Sequence, residues 1–511
     1  MMKKWKLITL LIWLFFISLP MFVGYLRSDN EVSFGGLIFN PIDGYSYLAK
    51  MQQGASGEFS FQLPYTPEEN GTVFIFTFYI LMGHISRIFG IDIPIMFHIF
   101  RIGISLLFFF SLEPLLKKLF HDEDIFFKSA YISLLFGGGL GWIYFVFGDL
   151  PIDFWVSEAF IFLSSLSNPH FILSFLIISV LLKLKFDEKN NIKSMVIHFL
   201  LSIILTSVSP FAAIIFCFVL LINLIQNRNN FRLKMKNLLS FAIPAFLLGG
   251  YQYITIKNDP ILRAWDTQNV TQTPGIFNLF FGLSPFLIGI IVFMVLNIKK
   301  KIQISKPIWL MIIWIFFALV MVFIPFNLQR RFLVVIYLPI TIVFWNLAKS
   351  YFHLKQTPLK KVLPTIILGS VFLSNLIIFA GSTTAINNQD EIFFINKNVI
   401  SAFDWMDQNL EDNSIILSNE PHGLVIPAFG HYRVVYGHPF ESIRAEEMKM
   451  KVNDFWVDQM SEENAKKFIT ENNVGYIFCE YEKTINGCPP ITDQYEVIYN
   501  SDHIAIFQVE H

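Results

Sequence analysis

Three of the carboxylates in the loop after the first apolar stretch of this 511-residue chain, Asp43, Glu68 and Glu69, have neighbours and spacing that point to chemistry. Asp43 heads the run Asp43-Gly44-Tyr45-Ser46-Tyr47, so an acid sits just ahead of two hydroxyl-bearing rings. A carboxylate in that position can take a proton from an acceptor hydroxyl. It can equally cap a short helix from Gly44 to Gln53 that Gly54 would stop. The two roles are compatible, because a capping carboxylate keeps one oxygen uncommitted. Glu68 and Glu69 close the same loop before Asn70-Gly71. They read either as a solvated turn or as a second acid facing Asp43, which would hold a divalent metal or orient the acceptor. The residues leave open which glutamate would serve.

The cations have their own pattern. His98 and Arg101 lie one turn apart inside an apolar segment, where a charge costs roughly 3 kcal/mol and is expected to face a cavity or a partner. Arg330 and Arg331 follow Asn327-Leu328-Gln329 in a short loop, and planar guanidinium groups grip phosphate oxygens in pairs. Lipid-headgroup anchoring is the plainer reading of the same residues. His170, Lys257 and Arg263 are lesser candidates of this kind. Further on, Glu420-Pro421-His422-Gly423 and Gly437-His438-Pro439-Phe440-Glu441 each place a histidine and an acid after a strand. Their spacing is not that of a metal site, so a part in recognising an acceptor or covering a cavity is the expectation. The chain has no glycine-rich phosphate loop, zinc motif or nucleophile elbow.

The rest of the sequence must position these groups at a membrane. Apolar residues make up 54%, mean hydropathy is +0.54, and charged residues are only 15% against about 25% in soluble domains. A net charge of -1 conceals an asymmetry: from residue 382 onward 21 acids face 8 bases, whereas the earlier part has 18 acids and 30 bases. A basic membrane body joined to an acidic water-facing domain follows, with boundaries at 1–381 and 382–511. Stretches long enough to cross occur at 7–26, 94–116, 126–148, 169–186, 194–209, 211–226, 237–256, 276–297, 307–325, 331–350 and 362–381. Basic clusters fall in alternate loops, around Lys3, Lys117, Lys189, Arg228, Lys301 and Lys355, which puts the N-terminus inside.

Parity then places the loop 27–93 outside, with its aromatic segment 73–90 lying along the interface and not crossing it. Spans 194–209 and 211–226 are short and parted by Pro210, and Asn168-Pro169-His170 interrupts another, so a cavity open to the outer leaflet is expected. After residue 381, helical and strand-like segments alternate, predicting a small extracytoplasmic α/β domain. Cys479 and Cys488 lie close enough to pair if that domain meets an oxidising compartment.

A multi-span body with its N-terminus inside, a large first loop with an early acid, and an outer C-terminal domain together resemble the GT-C glycosyltransferases. The run Asp43 to Met51 with Gly54 and Gly57-Glu58 looks like the first-loop pattern of bacterial members, as do Tyr79 through Gly83-His84 and Val435-Tyr436-Gly437-His438. The paired Asp-Asp or Glu-x-Asp common in that loop is absent, so metal dependence stays open, with Asp43 a possible ligand. The resemblance implies hexosyl or pentosyl transfer from a polyprenyl-phosphate donor to an extracytoplasmic glycan, lipid or protein, with inversion. Asp43, Glu68 and Glu69 would be catalytic, and Arg330, Arg331, Arg101 and His98 would bind the donor phosphate. Tyr45, Tyr47, His170, Arg263, His422 and His438 would line the acceptor side. A transporter, a lipid flippase or a non-catalytic membrane scaffold are the rival classes. No nucleic-acid partner is expected.

Overall fold

Contacts in the computed structural model divide the chain into two compact units, neither of them continuous in sequence. The first comprises Met1–Pro20, His98–Gly250 and Thr271–Thr384; the second comprises Met21–Phe97, Tyr251–Val270 and Ala385–His511. The structure describes residues 2–186, 192–226, 231–300, 302–353, 359–457, 459–481, 487–501 and 503–509. Lys189, Arg228, Lys301 and Lys355 of the basic clusters lie outside the described residues.

The first unit is helical. Among the described residues six helices are long and apolar enough to cross a membrane, or up to seven if a bent pair counts as one span. They include α1 (Lys4–Arg27) and the long helix Ile93–Phe120, each of which runs from one unit into the other. Several expected spans are shorter or broken. The one predicted at 126–148 is broken into the helix Ile125–Phe136 and the short helix Gly141–Phe145, because Gly137-Gly138-Gly139 ends the first. A Cβ on Gly139 would lie 2.1 Å from the Gly282 carbonyl oxygen, so only glycine permits that approach. The segment 276–297 is two helices, Ile276–Leu283 and Phe286–Lys299, bent by 73° where Ser284-Pro285 interrupts the ladder.

Lys3, Lys6 and Lys117 converge on Glu113 and Glu123 at 2.5–3.4 Å, and Lys349 reaches Asp124 at 3.1 Å. Three of the basic clusters therefore gather beside the same short connection, as alternation of charge requires. Arg101 is fully buried in this unit; its Nη1 donates to the carbonyls of Ile17 and Ser165, and its Nε to His98 Nδ1.

The second unit joins the first loop to the C-terminal region. Strand β1 (Val32–Phe34) pairs antiparallel with β2 (Phe394–Asn396). Helices α2 (Pro41–Ser56) and α3 (Thr77–Phe89) pack so closely that a Cβ on Gly54 would meet the Ile80 oxygen at 2.0 Å, and one on Gly83 the Met51 oxygen at 1.9 Å. At 13 residues, α3 is about 20 Å long, short of the roughly 30 Å a crossing needs. Leu81, Ile88 and Phe89 on it are exposed.

A five-stranded sheet follows: β3 (Ile415–Leu417), β4 (Arg433–Val434), β5 (Tyr476–Glu480), β6 (Glu496–Ser501) and β7 (Ile504–Gln508), in the order β4-β3-β5-β7-β6. Its first three strands are parallel, and β7 and β6 return antiparallel. Side chains alternate between two cores, as strand geometry requires. Leu417, Ile477 and Phe507 join Phe455 and Phe468 on one face. Ile416, Phe478 and Ile506 join Phe403 on the other, and Ala49 and Tyr65 of the first loop complete that core. Cys479 and Cys488 form a disulfide.

Candidate functional site

Asp43 lies in the first turn of α2, not at its cap. Asn40 takes the cap position in left-handed backbone (φ 53°), which asparagine tolerates better than most residues, and Pro41 supplies the fixed φ that suits a first helical residue. The Asn40 amide makes no capping bond to the backbone; its Nδ2 donates to Asp43 Oδ2 instead. Nor does the helix stop at Gly54: it continues to Ser56, with Gly57 (φ 111°) as its C-cap. Gly54 has a different duty, the close approach of α3.

Asp43, Ser46 and Lys50 are three and four residues apart, so they share one face of α2. That face meets the loop 437–444. Lys50 is fully buried; its Nζ donates to Glu441 Oε1 at 2.7 Å and to Ser46 Oγ, while Ser46 Oγ donates to the same Glu441 oxygen at 2.6 Å. The rings of Phe76, Tyr47 and Phe61 surround the ammonium at 4.3, 5.3 and 5.3 Å. Burial pulls the Lys50 ammonium below its ordinary value, opposed by Glu441. Burial pushes the Glu441 carboxyl up, but Lys50 and His438 more than offset this and hold it below the usual range. Each partner thus offsets part of the burial penalty on the other's charged form.

The loop itself is closed by its own hydrogen bonds. Gly437 and His438 donate their backbone N–H groups to Ser442 Oγ, and the Ser442 N–H returns to the His438 carbonyl. Gly437 abuts Gly423, where a Cβ would meet the Gly423 oxygen at 2.1 Å. His438 Nδ1 accepts from the backbone N–H groups of Phe440 and Glu441 at 3.1 and 3.2 Å. Its proton therefore resides on Nε2, which stands 3.7 Å from Asp43 Oδ1. Burial keeps this imidazole below its ordinary value, with Glu441 and Asp43 opposing. Tyr65 lies 5.4 Å from the His438 ring and donates to the Leu424 carbonyl.

The remaining expected residues are dispersed. Glu68 pairs with Arg444 at 2.7 Å and accepts from Thr66, and Glu69 is exposed. Tyr45 is buried, and Tyr47 stacks on Tyr79 at 4.5 Å. His422 pairs with Glu480 at 3.1 Å and its Nδ1 lies 2.6 Å from Asn419 Oδ1. Arg263 is exposed, on a short helix. In the first unit, His170 is buried against Phe171, and His98 and Arg101 are bound to one another and to backbone carbonyls. Arg330 and Arg331 share the buried Glu158 carboxylate at 3.7 and 3.4 Å, and the Arg330 guanidinium lies 4.6 Å from the centre of the Trp155 ring. An apolar cavity of about 360 Å³ among Thr9, Ile12, Phe16, Ser133, Phe136 and Phe372 contains none of the expected site residues.

Asp43 does not fit a metal site. Its ionisable neighbours are a histidine that presents N–H and a lysine ammonium, and among the described residues no group of three or more His, Cys, Asp or Glu side chains is disposed to hold an ion. The residues to which sequence reasoning gave no role are Lys50, Ser46 and Glu158, and Glu441 was noted without its partner Lys50. The spacing from Asp43 to Ser46 and Lys50 was the available signal for two of them.

No family model matches the chain, and no curated protein matches it. Solved structures do. The Archaeoglobus fulgidus oligosaccharyltransferase, tethered to an acceptor peptide containing the NVT sequon, matches with a TM-score of 0.57 at 12% identity, over 97% of this chain and 72% of that one. The same enzyme in complex with Zn and sulfate gives 0.58 at 13%, over 93% and 67%. The mycobacterial arabinofuranosyltransferase AftD gives 0.52 at 11%, over 100% of this chain and 40% of that one. At such identities the likeness is one of backbone architecture, and it agrees with the first-loop and C-terminal features above. This chain has the fold of the GT-C membrane glycosyltransferases.

Proposed function

We propose that this chain is a membrane glycosyltransferase that moves a sugar from a polyprenyl-phosphate carrier to an acceptor outside the cytoplasm, with inversion at the sugar carbon. The observation that carries this reading, on a GT-C fold, is the setting of Asp43. In its cluster Lys50, Glu441 and His438 are buried and mutually balanced, while the Asp43 side chain stays 40% exposed. One carboxylate is thus held in place yet reachable by an acceptor.

The acceptor hydroxyl oxygen bonds to the anomeric carbon as the bond from that carbon to the phosphate oxygen breaks. The departing phosphate keeps the bonding pair, and the hydroxyl proton passes to the Asp43 carboxylate. A phosphate is a good leaving group once its charge is met by cations, so no general acid is needed. Within the first unit, Arg330 and Arg331, which flank the Glu158 carboxylate, are the phosphate-binding candidates of this reading. His438, Tyr65 and Tyr47 flank the acceptor side. The disulfide supports placing the C-terminal domain in an oxidising compartment, as do the basic groups gathered at Glu113 and Glu123.

The test is the full-length protein in lipid nanodiscs, offered polyprenyl-phosphate-linked sugars one at a time with cell-envelope extract as acceptor, and scored by release of polyprenyl phosphate. Asp43→Asn is expected to cut release by on the order of a hundredfold or more with folding unchanged. Release at the parent rate would remove Asp43 from the reaction.

A further inference from the structure

The Nε2 atom of His438 is buried and carries the ring's proton; the Ile42 carbonyl favours that proton, but Nε2 makes no hydrogen bond of ordinary geometry. Such a donor is costly to leave unmet in a native interior. Everything around it is fixed. Two backbone N–H groups hold Nδ1, and the hydroxyl of Ser442 ties the backbone of Gly437 and His438. The Lys50–Glu441 pair anchors the far end of the loop to the helix that bears Asp43. The only acid on that helix near Nε2 is Asp43, whose Oδ1 is 3.7 Å away while its Oδ2 is engaged by Asn40.

We infer that His438 is a positioning residue for Asp43: its Nε2–H closes on Oδ1 when substrate is bound and, with Asn40 on Oδ2, fixes the carboxylate plane that receives the acceptor proton. The inference rests on the reading of Asp43 given under Proposed function. Catalytic hydrogen bonds are commonly long before substrate arrives and tighten in the complex. His438 is not itself the base. Nε2 already bears a proton and Nδ1 accepts two hydrogen bonds, so no lone pair is left to take another. The charged and titratable groups that face the ring are Asp43 and Lys50 from α2, Glu441 from its own loop, and Tyr65 from the first loop. The Lys50–Glu441 pair cancels, so the neutral imidazole acts on Asp43 as a dipole and not as a cation. The network explains why a lysine and a glutamate are retained at zero and one-tenth exposure far from any solvent role.

Two measurements test this, and they fail separately. In full-length protein labelled with ¹⁵N-histidine, the His438 signals are assigned by their loss in His438→Gln. The expected result is the Nε2–H tautomer, neutral at pH 7, with an Nε2 shift that moves on Asp43→Asn. The Nδ1–H tautomer, a charged ring at pH 7, or an Nε2 shift indifferent to Asp43→Asn would overturn the inference, whatever the reaction proves to be. The second measurement is transfer from a polyprenyl-phosphate-linked sugar. His438→Phe, which keeps a ring but no donor, is expected to lower kcat about tenfold or more with donor KM little changed, and to move the acid limb of the pH–rate profile to higher pH. His438→Gln keeps a donor and is expected to recover part of the rate. A loss of rate with an unmoved acid limb would mark a structural role only and overturn the inference. Transfer that survives Asp43→Asn would instead bring down the functional reading, leaving the tautomer result standing.

Discussion

Two clusters of opposed charges, one taken from each unit, are built differently. In the second unit Lys50 and Glu441 form a one-to-one pair, enclosed by Ser46 and three aromatic rings, with side-chain exposures of 0% and 11%. In the first, Arg330 and Arg331 share the single buried carboxylate of Glu158 and remain 18% and 31% exposed. A sealed and balanced pair holds two segments of chain together. A carboxylate flanked by two partly exposed guanidinium groups is the anion-binding candidate of the proposed reading. Burial and stoichiometry therefore separate a clamp from a binding site, although both read as ion pairs.

The sharpest way to break this contrast is to remove one partner of the clamp. Lys50→Met strands the Glu441 carboxylate in a dry site, and breaking a buried pair costs roughly 3–5 kcal/mol. Unfolding of the full-length protein in detergent should show a loss of that size. Lys50→Met with Glu441→Leu should recover most of it, because an apolar pair of similar volume needs no compensation. A single variant within about 1 kcal/mol of the parent would mean that the pair clamps nothing.

The clamp should also respond to acid. His438 has its folded value depressed below the ordinary 6.5, chiefly by burial, so the folded protein resists a proton that the unfolded chain accepts. Stability then falls as pH drops below about 6.5, by up to about 1.4 kcal/mol per pH unit per proton. Glu441, held below the usual carboxylate range, adds the same trend further down: its contribution is present above the unfolded value of 4.5 and is lost as pH falls through the folded one. Equilibrium unfolding measured from pH 7 to 4 checks both. His438→Phe should flatten the upper part of the curve and leave the lower part.

Much of this was legible in the sequence, for reasons that also explain what was not. The strands Ile415–Leu417, Tyr476–Glu480 and Ile504–Gln508 and the helices Ala445–Trp456 and Glu462–Glu471 fall where alternation and helical spacing put them. The helix Glu420–Phe429 was hidden, because Pro421, Gly423 and Pro427 read as a turn. Pro421 occupies the first turn, where its missing N–H costs nothing, and Asn419 accepts from the His422 N–H as its cap. Asp43 stood out by its neighbours in sequence. Lys50 did not, since its partner Glu441 lies 391 residues away and a lysine on a helix ordinarily faces water. Span 126–148 was read as one continuous helix and 276–297 as unbent, because hydropathy does not register a glycine run or a Ser-Pro step.

The gentlest perturbation sharpens the comparison from the other side. Each of Arg330→Ala and Arg331→Ala leaves the other guanidinium beside Glu158, so the unfolding midpoint should move little, by about 1 kcal/mol or less, with Arg330 the larger because it also leaves the Trp155 ring. Their effect should appear in donor use. A charge-assisted hydrogen bond to phosphate is worth roughly 1.5–3 kcal/mol, which predicts a roughly ten- to hundredfold weaker response to a polyprenyl-phosphate-linked sugar. Arg331→Lys should fall between, since an ammonium keeps the charge but not the planar fork. Glu158→Gln should act in the opposite sense and tighten anion binding, because it removes the one carboxylate the two guanidinium groups share. If the alanine variants instead lose as much stability as Lys50→Met and leave donor affinity unchanged, Arg330 and Arg331 are a second clamp, and the phosphate must be met elsewhere.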